Sequence, residues 1–174
     1  QNSMDIVSSQ APGENFSPEQ QTTINNDTDQ LKNDHAGTGY AHFGAMLKAK
    51  IAVENDDLAT AAAELQWSLD NDPEPATEMI VRLRLARVEA ALGNVELALE
   101  MVQGIDFGTH KSAYEEAKGD FYLLLDNTEA AYTAYDAAIA SNESSDPIVG
   151  NILELKIGQV LPAATPDATI GDDQ

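Results

Sequence analysis

Few side chains in this sequence have the type and spacing to support chemistry. The histidines are His35, His42 and His110. None lies three or four residues from another and no HExxH occurs, so no helix offers two imidazoles to one metal. His35 and His42 stand seven apart across a glycine break, and solvation is their expected state. There is no cysteine, which excludes a thiolate zinc site, a cysteine nucleophile and a disulfide scaffold. No GxGxxG or GKS/GKT loop is present to cradle phosphate. Asp70-Asn71-Asp72 opens like a calcium loop, but Pro73 and Pro75 follow and the required glycine is missing, so it reads as a turn. Glu115, Glu116 and Asp120 have the makings of an acid–base pair; on an acidic helix they read as a solvated face. No catalytic residue, cofactor or metal is expected.

The arginines are the exception to this even spread. Arg82, Arg84 and Arg87 are the only three in the chain and fall within six residues. Arg84 and Arg87 share a helix face. Two readings stay open: pairing with neighbours such as Glu78 or Glu116, or an Arg87 that faces a groove and holds a partner's carboxylate.

The wider composition narrows the function classes. The chain has 174 residues, 30 acidic and 9 basic, for a net charge of −21. Such a chain is not built to bind the backbone of DNA or RNA, nor to present a polybasic patch to a membrane. No run of roughly 18 apolar residues exists. Apolar residues still make up 43%, enough for a core. The sequence begins at Gln1 rather than Met, so a fragment or processed product is expected, with a signal peptide or membrane anchor removed upstream.

Three stretches must position whatever site exists. Residues 1–39 are polar, with a loop at 11–15. Ser17-Pro18-Glu19-Gln20 predicts a helix start with a capping box, running to about Asn33. Met4, Ile6 and Val7 suit the end of another short helix. Residues 40–160 are rich in Ala and Leu at helical spacing, with short breaks, and form the predicted repeat domain. Residues 161–174 form an acidic tail, expected to be mobile.

Within 40–160, three helix starts superimpose, at Asp56, Gly93 and Asp126. They lie 37 and 33 residues apart, close to the period of roughly 34 of a tetratricopeptide repeat. Five residues after each comes a small residue: Ala61, Ala98, Ala131. Four further comes a larger one: Leu65, Val102, Tyr135. Seven before each turn sits another small one: Ala49, Ala86, Gly119. Two small positions and one large one let paired helices approach closely. The expected fold is an all-α, tetratricopeptide-like solenoid of about three hairpins with capping helices. The helix from Pro147 to Val160 closes it, and the second helix of the second repeat is short, ending near Gly104. Trp67, Tyr122, Tyr132 and Tyr135 are expected in packing rather than as ligand platforms.

Counting from the small positions predicts a groove lining. It comprises Phe43, Met46 and Lys50 in the first repeat, then Ile80, Leu83 and Arg87 in the second. The third contributes Ala113, Glu116 and Asp120. A mixed apolar and charged surface suits an extended or helical peptide.

Residues 40–160 resemble the periplasmic domain of the YfgM-like ancillary subunit of the SecYEG translocon, a family that also carries the name of a cell-division coordinator. The resemblance lies in DDLATAAAELQWSL (Asp56 to Leu69), in VRLRLARV (Val81 to Val88) with Leu92-Gly93, in the Gly119 to Ala131 segment ending LLLDNTEAA, and in LELKI (Leu153 to Ile157). It implies a membrane-anchored, non-enzymatic protein with its repeats on the periplasmic face of the inner membrane. The implied partners are the SecYEG translocon and a PpiD-like periplasmic chaperone. A periplasmic scaffold of envelope assembly or cell division is the alternative.

The acidity reads as adaptation to salty surroundings, because like charges at this density repel until salt screens them. The melting temperature is therefore expected to rise with NaCl in a thermal scan; a flat or falling curve contradicts this.

Overall fold

Local chemistry starts the helices where their sequences carry capping residues. In the computed structural model, which describes residues 3–11, 14–104 and 108–160, Ser17 Oγ accepts from Gln20 N while Ser17 N donates to Gln20 Oε1. That capping box opens α2 (Pro18–Asp34), behind a short α1 (Ser3–Ser9). Asp57 caps α4 through Thr60 N at 3.0 Å, Asn127 caps α8 through Ala130 N at 3.1 Å, and Asp146 opens α9 through Ile148 N. The described helices continue as α3 (Gly39–Glu54), α4 (Leu58–Asp70), α5 (Pro75–Ala91), α6 (Val95–Met101), α7 (Lys111–Leu124), α8 (Thr128–Ala140) and α9 (Pro147–Gln159). No strand occurs among the described residues. The acidic tail at 161–174 and the middle of the 11–15 loop lie outside them.

The three superimposed helix starts form one turn repeated three times. Asp56, Gly93 and Asp126 all have left-handed backbones, with φ of 60°, 91° and 57°. The next amide in each case reaches five residues back: Asp57 N to Ala52 O, Asn94 N to Glu89 O, and Asn127 N to Tyr122 O, at 2.8–2.9 Å. These are Schellman-type closures, which satisfy the last carbonyls of each first helix and turn the chain into the second. Helices α3 and α4, α5 and α6, and α7 and α8 thereby become antiparallel hairpins, each packed on the next, with α9 on α8.

The core runs along this stack. Ala49, Ala61 and Leu65 share a cluster with Val81, Leu85 and Val88 of the next hairpin. Ala86, Ala98 and Val102 share another with Tyr114, Ala117 and Phe121. In the third hairpin the large partner is Tyr135, fully buried with Ala131 and Val160. Gly119 faces that ring so closely that a Cβ there would collide with three of its atoms. The small residue shrinks from Ala to Gly where the large one grows from Leu or Val to Tyr.

The polar N-terminal stretch belongs to the same stack. Ile6, Phe16 and Ile24 pack on Ile51 of α3. Gly44 lies beneath Thr28, and a Cβ there would stand 2.8 Å from Thr28 Oγ1. Around this contact Lys32 and Lys48 reach Glu64 at 2.7 and 3.1 Å, and Lys48 reaches Asp29 at 2.5 Å. Burial pulls the Lys48 ammonium down, and the Asp29 and Glu64 carboxylates more than offset it, holding it above the ordinary lysine value. His42 departs from the expected solvated state. It is 3% exposed, with Nδ1 3.0 Å from Ser68 Oγ and its ring tilted against Trp67. The docking of α4 over the start of α3 buries it, and burial pushes its pKa down.

Helix propensity alone favours Ala over Gly by about 1 kcal/mol, so Gly119→Ala separates propensity from packing. A net loss of about 1–3 kcal/mol is expected in denaturant unfolding, from collision with Tyr135. Combined with Tyr135→Leu, which recreates the Ala49–Leu65 pairing, the same change should become neutral or stabilising. Stabilisation in the wild-type background would contradict this packing.

Candidate functional site

The close hairpin packing leaves an open hollow where successive first helices diverge. It lies between α3 and α5 over the start of α4, with a volume of about 480 Å³. α3 contributes Met46, Ala49, Lys50, Val53 and Glu54, a helical i, i+3, i+4, i+7, i+8 face. α5 contributes Arg84, Arg87, Val88 and Ala91, and α4 contributes Leu58 and Leu65. The floor is apolar and the rim is charged.

The rim electrostatics are unusual for so acidic a chain. Lys50 stands 3.4 Å from Glu54 and Arg87 3.7 Å from Glu116, longer than a good charged hydrogen bond. Arg84 makes no ion pair among the described residues and is exposed. Arg82, by contrast, points away and binds Glu78 at 2.5 Å. The pairing reading holds for Arg82, which meets Glu78, while Arg87 lies in the hollow 3.7 Å from Glu116.

Three predicted lining residues, Met46, Lys50 and Arg87, come together here. The others are placed elsewhere. Leu83 is a correction: it is 8% exposed and packs with Ala86 and Tyr114 in the core, because the second-hairpin face turns inward at that position. Ala113 packs against the same cluster. Ile80, 37% exposed, lies beyond the hollow. Phe43 borders a separate surface hollow with Met4 and Tyr40.

Glu116 and Asp120 are the second correction, since they are not an open, solvated face. α9 crosses the third hairpin and its Lys156 Nζ donates to Glu116 Oε1 at 2.7 Å and to both Asp120 oxygens at 2.8 Å. Tyr135 O–H donates to Asp120 Oδ1 at 2.7 Å. Glu115 is likewise engaged, with Lys118 at 2.8 Å. The closing helix occupies the third-repeat surface, so the hollow belongs to the first two hairpins.

The sequence count missed Val53, Leu58, Arg84, Val88 and Ala91. The signal was available: Val53 continues the Met46–Lys50 face by one turn, and Ala91 continues that of Arg84 and Arg87. The count ran toward the helix N-termini, where Leu83 and Phe43 lie, whereas the helices open toward their C-termini. No group of three or more metal-ligating side chains occurs among the described residues.

A stack of antiparallel helix hairpins with a hollow between successive first helices defines the class: a helical-repeat protein of tetratricopeptide-like architecture. The chain belongs to the tetratricopeptide repeat-like domain family, whose model matches residues 9–161. It is similar to proteins named ancillary SecYEG translocon subunit. The one from Aggregatibacter actinomycetemcomitans is 28% identical over 123 residues, covering 71% of this chain and 59% of that protein. The one from Escherichia coli (strain K12) is 25% identical over 121 residues, covering 68% and 58%. The one from Haemophilus influenzae is 32% identical over 113 residues, covering 63% and 54%. The chain thus spans less than two thirds of these relatives' length. No solved structure matches it.

The α9 clamp has a pH signature. Burial lowers the Lys156 pKa, but hydrogen bonds and attraction from Asp120 and Glu116 raise it above the ordinary 10.5. Burial and then the Asp120 bond raise Tyr135 above 10.0. Both folded values exceed the unfolded ones, so their contribution is complete below about pH 10 and is lost as pH rises through the folded values. Lys156→Ala should cost about 1–3 kcal/mol at pH 7 and flatten the loss of stability above pH 10 in chemical denaturation. An unchanged alkaline limb would contradict the clamp.

Proposed function

We propose that this chain is the periplasmic interaction module of an accessory protein of the Sec translocon. It acts without catalysis: the α3–α5 hollow holds a segment of a partner while the stack keeps the hollow open. The observation that carries this reading is the likeness, over 113–123 residues, to three proteins named ancillary SecYEG translocon subunit. The hollow supports it, because an apolar floor with a charged rim suits a peptide better than a small reactive substrate. In this reading the module stands at the periplasmic face of the inner membrane and links the translocon to a PpiD-like chaperone. No described helix is long and apolar enough to cross a membrane, so attachment would come from outside the described residues. Met46, Lys50 and Arg87 are the predicted groove residues that contact the partner.

Photo-crosslinking in membranes tests this. A crosslinking residue is placed at Arg87 in the hollow and, as control, at exposed Glu96 on α6. Translocon or chaperone adducts from position 87 alone are expected. Adducts only with envelope-assembly or division proteins would favour the scaffold alternative, and equal adducts from both positions would remove the role of the hollow.

A further inference from the structure

Cations are scarce in this chain, and their placement shows which ones the fold uses. Of nine, Lys32, Lys48, Arg82, Lys118 and Lys156 lie within 2.5–2.8 Å of a carboxylate. Three others, Lys50, Arg84 and Arg87, line one hollow without a short ion pair among the described residues. With 30 acidic residues available, such pairs would be easy to supply. Instead these three charges border an apolar floor, where a charge-assisted contact is worth more than in open water.

We propose that the hollow recognises a peptide segment carrying one carboxylate beside an apolar side chain. The carboxylate bridges Arg84 and Arg87, which stand one helical turn apart, and the apolar side chain rests on Met46, Val53 and Val88. Charge complementarity argues for this occupant and against a basic one. Glu54 on the opposite rim and Glu116 beside Arg87 argue against a polyacidic run, whose further carboxylates would meet them. The proposal rests on reading the hollow as the partner-binding surface and adds the chemistry of what binds.

Fluorescence anisotropy at about 0.15 M salt tests it with three labelled dodecapeptides. They share a Leu, Ala and Ser background and carry a single Glu, Gln or Lys at one position. Wild-type protein should bind the Glu probe roughly tenfold more tightly than the Gln probe and the Lys probe most weakly. In Arg84→Gln/Arg87→Gln, whose exposed positions leave the core intact, the Glu and Gln probes should bind alike; circular dichroism checks the fold. Equal affinity of wild type for all three probes, including no binding of any, overturns the proposal. So does discrimination that survives the double substitution, or self-association of wild type that the substitution abolishes, which would seat a second copy in the hollow. Failure here with translocon adducts from position 87 would leave the functional reading standing; probe discrimination without such adducts would remove that reading alone.

Discussion

Each hairpin depends on a point where the backbone of its first helix comes close to a large side chain of its second. Ala49 and Leu65, Ala86 and Val102, and Gly119 and Tyr135 are three solutions to the same steric problem. The residue volumes compensate, because close-packed interiors leave no room for both members to be large. The left-handed turns at Asp56, Gly93 and Asp126 bring the helices back in the same register each time. The first hairpin joins the second through α4 and α5, and the hollow lies between α3 and α5.

Electrostatics then decide which surfaces stay open. The chain has far more carboxylates than cations, so each cation acts where it is placed. Lys32 and Lys48 hold α2 to α3 and α4 through Glu64 and Asp29. Lys156 holds α9 over the third hairpin through Glu116 and Asp120. These two clamps close both ends of the stack and leave the first two hairpins open between them. Arg84 and Arg87 of α5 face that opening.

Much of this was legible in the sequence, for specific reasons. The repeat could be read because turn and small-residue positions are short-range constraints, expressed at fixed offsets from Asp56, Gly93 and Asp126. The capping box at Ser17 and Gln20 was readable for the same reason. The site was less legible, because it depends on contacts between distant segments. Nothing near Glu116 and Asp120 announces that Lys156, some forty residues later, will cover them. Nothing near His42 announces Ser68 and Trp67. Leu83 lies one helical turn from Arg87 along α5, yet α5 turns it into the core and leaves Arg87 exposed, a distinction set by how α5 sits against α7.

The proposed role of the stack is to present the α3–α5 hollow to a partner. Hydrogen exchange read by mass spectrometry, with and without solubilised inner-membrane extract containing the translocon, tests it most directly. Slowed exchange is expected in peptides covering 46–58 and 84–91, with α8 unchanged. Protection confined to α6 and α8, with the hollow exchanging as in the free protein, would contradict it.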